Sequence, residues 1–264
     1  MSPVLGPVTL AISLIFRRAG KEKGPPAPPP GAALQPPPLT SARWRVGATF
    51  EMADASIKMA KAVGADMSGA ENLFQTGCAA MWRQDDETAC DLFERARGVA
   101  DEENRKRVVQ IVKDAREIIL REAEEKGIDM SVCLRVLDNA DEAVLRGDDA
   151  SAFGWCSLTM AMMFRLSREA GGRADPDGKE RIPLAIFDKG DRYEALAWVR
   201  TDDWSHVRWR ADAKEIHVWT GRPDGPATEW EWTTVRVPGL FDAGSTKAVL
   251  SDGWLSVRLL KVGP

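Results

Sequence analysis

The order of apolar and polar positions divides the chain into stretches of different period. From Met52 to about Ala170 apolar residues recur three or four apart, as a helix with one buried stripe requires. The longest stripe runs through Leu92, Ala96 and Val99, then Val108, Ile111, Val112, Ala115, Ile118, Ile119 and Ala123. Helices are expected over about 52–63, 68–83, 86–126, 131–146 and 149–170, with Gly98 and the polar run Asp101 to Arg107 breaking or bending the third. After Ile182 the period falls to two. Runs at 184–187, 193–200, 206–211, 216–220, 230–237, 247–250 and 254–260 alternate with turns rich in Asp, Gly and Pro. That spacing predicts an antiparallel β-sandwich. The fold class is therefore multidomain α and β. A disordered Pro-rich segment (1–51) precedes an antiparallel helical bundle or repeat (52–170), a linker (171–181) and a sandwich (182–262).

The helical stretch repeats itself. Gly64-Ala65-Asp66-Met67-Ser68 returns as Gly127-Ile128-Asp129-Met130-Ser131, at an offset of 63. Arg83-Gln84-Asp85-Asp86 returns at the same offset as Arg146-Gly147-Asp148-Asp149. Ungapped self-similarity of this kind reads as a duplicated helical hairpin. Gly64 and Gly127 stand where a helix ends in the left-handed conformation. Ser68 with Glu71 predicts a capping box; the second copy has Leu134 in place of the glutamate and is expected to cap through Asp129. The Asp85-Asp86 and Asp148-Asp149 pairs read as helix starts, where carboxylates meet the positive end of the dipole, and not as metal ligands. The last helix is rich in methionine (Met160, Met162, Met163). Core packing and an adaptable partner-binding face are both open readings.

Composition changes this picture at the N-terminus. Ten of the 16 prolines fall within the first 38 residues, a tract that favours polyproline II and cannot pack a core. The apolar run before it, from Pro3 to Phe16, is followed by Arg17-Arg18. It is short for a membrane span and has its charges on the wrong side for a signal peptide. One expectation is that the working protein starts at Met52. Residues 51–172 carry a net charge of −8 and residues 173–264 are nearly neutral, so no folded segment offers the basic footprint of a nucleic-acid binder. Cys78, Cys90, Cys133 and Cys156 form no C-x-x-C pair and are expected to be free thiols of a cytoplasmic protein. Seven of the ten tryptophans lie beyond residue 197 and are expected to fill the small β core.

The C-terminal hairpin carries a resemblance. Lys247 to Leu250, the Asp252-Gly253 turn and Trp254 to Lys261 make a strongly marked hairpin. The segment KAVLSDGWLSVRLLK fits the A-x-x-x-x-G-x-L signature of small heat-shock proteins, with Ala248, Gly253 and Leu255 in place. Val237-Pro238 followed by Phe241-Asp242 resembles that family's L-P-x-x-V-D element, and Ile186 to Tyr193 resembles its opening strand pair. The resemblance covers 182–261 and implies an α-crystallin-like sandwich and ATP-independent binding of non-native or extended polypeptide in an apolar groove. The residues expected to line it are Val207, Trp209, Ala248 and Leu250. The chain departs from the pattern in three places. Glu231-Trp232-Thr233 replaces the aromatic-x-Arg, the loop after Gly221 is short, and no I-x-I stands near Val262. These departures weigh against the family's large assemblies and leave a homodimer to be tested. The alternative function is a scaffold or co-chaperone adaptor, with helical-repeat and CS-like modules binding a dedicated protein partner. No catalytic, cofactor or metal residues are expected. His206 and His217, the two histidines, have no nucleophile or third ligand evident in the sequence and read as surface residues.

Overall fold

The structure, a computed structural model, describes residues 41–171, 182–212, 214–221 and 230–262. The expected Pro-rich tract, most of the linker and the loop after Gly221 lie outside them. The chain forms two compact units, 1–108 and 109–264.

The described helices are α1 (Ser41–Ala62), α2 (Ser68–Trp82), α3 (Asp86–Lys126), α4 (Ser131–Arg146) and α5 (Asp149–Ala170). In the first unit, α1 begins at Ser41, well before the expected Met52, and its early turns are part of the core. Val46 is buried and Phe50 packs against Phe74 and Phe93 at centroid distances of 4.9 and 5.4 Å. A chain starting at Met52 would leave the Phe50 position empty. The sequence period did not reveal this helix start because Trp44, Arg45, Gly47 and Ala48 dilute the apolar stripe.

Helix α3 runs for 41 residues over the expected 86–126, with no break near Gly98. Its polar middle is held by i,i+4 ion pairs, Arg97–Asp101 at 3.4 Å and Lys106–Glu102 at 2.7 Å, which support an exposed helical face.

The helix ends explain the matched sequence blocks. Gly64 and Gly127 both have positive φ, at 79° and 63°. The amide of Ala65 donates to the Ala60 carbonyl, as that of Ile128 does to Ala123. The capping box at Ser68 does not form: Asp66 Oδ1 instead accepts from the Ser68 amide at 3.0 Å, just as Asp129 accepts from Ser131 at 2.9 Å. The Asp sits two residues upstream and satisfies the helix-start amide first. Asp85 and Asp148 cap α3 and α5 by accepting from Thr88 and Ser151.

The second unit combines the rest of α3 with α4, α5 and the β-region. Met160, Met162 and Met163 are buried, so the reading of α5 as an exposed methionine face is overturned. All four cysteines are free, and Cys90, Cys133 and Cys156 are buried. Burial pushes the Cys133 and Cys156 thiols up to about 12, which leaves them protonated and inert at neutral pH.

The strands are β1 (Leu184–Asp188), β2 (Arg192–Trp198), β3 (Val207–Ala211), β4 (Glu215–Thr220), β5 (Glu231–Arg236), β6 (Lys247–Ser251) and β7 (Trp254–Leu260). They form one antiparallel sheet in the order β1-β2-β7-β6 and a second in the order β3-β4-β5. The β6–β7 turn places Asp252 and Gly253 at φ 53° and 76°, the two left-handed residues of a tight hairpin.

The sandwich core is built from Tyr193, Val207, Ile216, Val218, Leu255, Val257 and Leu259 with small alanines. The tryptophans do not fill it as expected. Of the seven in this region only Trp198 is buried. The others are half-buried or exposed: Trp209 packs against the margin of the core, and Arg208 lies 4.5 Å over Trp230.

Gly77 on α2 gives a sharp test of packing in the first unit. A Cβ there would stand 2.7 Å from the Phe93 ring, which is itself fully buried. Alanine should gain about 1 kcal/mol of helix propensity, yet overpacking costs about 1–3 kcal/mol. Gly77→Ala is therefore expected to lower the urea unfolding midpoint; a raised midpoint would show that the ring has room to move.

Candidate functional site

Two stacked sheets leave two open sides. β1 lies beside β5, so with aligned sheets the other edge strands, β3 and β6, face each other across the opposite side. The two sides are treated differently.

The β1–β5 side is closed by α5. On β1, Leu184 and Ile186 turn to the sandwich core, while Ala185 and Phe187 turn outward and are nonetheless buried. Helix α5 covers them. The Trp155 and Phe187 ring centroids are 4.4 Å apart, and Gly154 brings the helix so close that a Cβ would stand 3.0 Å from Phe187. That contact explains a glycine inside a helix, which otherwise costs about 1 kcal/mol.

Further along, the buried Arg165 donates to Glu231 of β5 at 2.7 Å and to Glu169 at 3.2 Å. Arg200 donates to both Glu169 oxygens at 2.6 Å. Burial pushes the Glu169 carboxyl up, but the bonds from Arg200 and Arg165 outweigh it and hold the group below its ordinary value. A shallow cleft of about 310 Å³ lies here, lined by Arg165, His206, Thr220 and Glu231 among others. Its charged floor is spent on the ion pair.

On the β3–β6 side, among the described residues β3 pairs only with β4 and β6 only with β7. Each strand turns alternate residues inward. Val207 is buried, Trp209 and Ala211 are half-buried, and all three meet the core. On β6, Ala248 and Leu250 are half-buried against the same core, while Val249 points outward and is 55% exposed. The four residues expected from the sequence thus belong to one apolar cluster, with Val207 buried and Trp209, Ala248 and Leu250 half-buried against it. The sequence reading omitted Ala211, although the alternation of Val207 and Trp209 pointed to it.

The signature residues have structural work beside this side. Gly253 accepts from the Val199 and Arg200 amides at 2.9 Å, and its own amide donates to Asp202 at 2.7 Å. A Cβ there would approach Arg200 Cα to 3.2 Å. Leu255 is fully buried. Pro238 is exposed and ends β5, since it has no amide to continue the ladder.

The two histidines are apart in the fold. His206 stands in the short turn before β3, 3.3 Å from Asp203. His217 lies on β4, opposite Arg210. Among the described residues no helix is long and apolar enough to cross a membrane.

No family model and no curated protein matches the chain. Several solved structures do. One is a mutant of hsp14.1 from Sulfolobus solfatataricus, with 18% identity over 39% of this chain and 93% of that one, at a TM-score of 0.29. Another is heat shock protein 16.0 from Schizosaccharomyces pombe, with 18% identity over 31% of this chain and 73% of that one, at 0.26. A third is HSP18.5 from E. histolytica, with 22% identity over 31% of this chain and 89% of that one, at 0.28. The element order and the two antiparallel sheets agree with the expected helical region followed by an α-crystallin-like sandwich.

The closed side carries a pH dependence. A carboxyl with a lowered folded pKa stabilises the folded state above its unfolded value and loses that contribution as pH falls through the folded one. The Glu169 contacts should therefore weaken as pH falls below about 4.5, the ordinary glutamate value. Glu169→Gln is expected to flatten the melting-temperature profile in that acid range. An unchanged profile would show that the ion pairs contribute nothing there.

Proposed function

We propose that this protein is an ATP-independent, chaperone-like binder of non-native or extended polypeptide segments, and that the crevice between β3 and β6 receives them. The observation that carries this reading is the asymmetry of the sandwich. A helix closes one pair of edges, and the other pair stays open over half-buried apolar side chains. An extended segment laid along either edge gains main-chain hydrogen bonds, and its alternate side chains find the apolar floor. Trp209 and Leu250 form the rim that gives the segment its grip, and Val207 and Ala248 shape the floor. The signature residues Gly253 and Leu255 hold the β6 hairpin in position. This mode of binding uses no cofactor and no catalytic group.

The helical region acts in this reading as a duplicated unit that supports the binding domain. A dedicated partner seated on them is the second reading, favoured by the exposure of Trp44 and Trp82, at 68% and 62%.

Aggregation assays separate these readings. The full chain, added at equimolar amounts without ATP, is expected to keep several unrelated heat-denatured proteins in solution. Trp209→Ala and Leu250→Ser should each weaken capture of an unfolded client about tenfold, the size of an interface hot spot. Val249→Ser, on the outward face of the same strand, should leave it intact. No protection by the unaltered chain would remove the chaperone reading, and equal activity of all three variants would remove the crevice.

A further inference from the structure

The outer face of the three-stranded sheet holds a cluster that the proposed function does not use. Asp212 directly follows β3, and Glu215 and His217 lie on one face of β4, two residues apart. Their ligand atoms all lie within 4.8 Å of one another, and all three residues are half-buried. The spacing D-x-x-E-x-H is therefore brought together by a hairpin turn and by the two-residue period of a strand.

Each group is already oriented. Asp212 Oδ1 accepts from the Lys214 and Glu215 amides at 3.2 and 3.1 Å. This fixes the carboxylate and turns Oδ2 to His217 Nε2, 3.1 Å away. Glu215 Oε2 stands 3.8 Å from the same nitrogen. On the far side of the ring, His217 Nδ1 is 2.8 Å from Thr234 Oγ1 on β5, and the ring stacks on Trp219 at 5.7 Å between centroids.

We propose that Asp212, Glu215 and His217 form a binding site for a divalent first-row transition ion, with Zn²⁺ as the representative probe. One imidazole nitrogen and two carboxylate oxygens suit such ions, and water completes the coordination on the exposed side.

The Thr234 hydroxyl is the feature that makes the site switchable without rearrangement. With no metal, His217 donates Nε2–H to Asp212, and the Thr234 hydroxyl donates to Nδ1. With metal bound, the Nε2 lone pair faces the ion and Nδ1–H donates to Thr234 Oγ1. A hydroxyl can take either role, so the ring changes tautomer in place. This is the outer-shell bond that orients a metal-binding histidine. Bound metal would tie β3 to β4, and through Thr234 to β5. Arg210, 3.8 Å from Asp212 Oδ2, is the cation that metal would displace, and Arg236 faces Glu215 across the β4–β5 ladder.

Metal titration of the chelator-stripped full chain tests the site. Zn²⁺ in calorimetry is expected to bind once per chain and to raise the melting temperature. Co²⁺ is expected to give a spectrum without thiolate charge transfer, which separates the site from the cysteines. His217→Gln and Asp212→Asn should each weaken Zn²⁺ by about tenfold or more. Glu215→Gln serves as a further variant should either of these fail to fold. Absence of saturable binding, a thiolate spectrum, or affinity unchanged in the folded variants would each overturn the proposal.

Discussion

A sandwich of two open sheets has four edge strands, and every unpaired edge invites another chain. How this protein treats its four edges decides the rest of its structure. Helix α5 is laid along β1, with Gly154 pressed against Phe187 and Arg165 reaching Glu231 of β5. Closing that side lets outward residues of β1 be apolar, which an exposed sheet face would not tolerate. Among the described residues it also leaves β3 and β6 as the pair with unpaired edges beside half-buried apolar side chains. The candidate groove is thus defined as much by the helix on the far side as by its own residues.

Much of this was legible in the sequence, for local reasons. Strand period, the Asp252-Gly253 turn and the Pro238 stop are short-range signals, and the seven strands fall where alternation and turn chemistry place them. The helix ends were legible because Gly64 and Gly127 need positive φ, and because Asp85 and Asp148 cap within three residues. Alternation along β3 put Val207 and Trp209 on one face, while Ala248 and Leu250 came with the family signature that the hairpin resembles.

What the sequence hid depends on which of several possible contacts forms in the folded chain. The Ser68–Glu71 pair satisfied a capping pattern, but Asp66 competed for the same amide and won. The start of α1 was obscured because its stripe is sparse and becomes evident only when Phe50 meets Phe74 and Phe93. Tryptophan was assigned to the core by size, yet the core is filled mainly by aliphatic side chains; Trp209 packs at its margin and Trp230 lies beneath the Arg208 guanidinium. The Asp212, Glu215 and His217 cluster was not evident because Asp212 lies across the β3–β4 turn, and only the pairing of these strands brings its carboxylate to the face that carries Glu215 and His217.

The outward burial of Ala185 and Phe187 has a practical meaning for anyone dividing this chain. The Gly- and Pro-rich stretch from Gly171 to Arg181 invites a cut, and a fragment opened there would carry the sandwich away from α5. Phe187 would lose the Trp155 ring, and Glu231 would lose the Arg165 guanidinium. Such a fragment gains a sticky patch on β1, and its apparent appetite for other proteins would reflect the missing helix. The natural excision unit keeps α5 with the strands it covers, so composition marks a boundary that packing does not respect.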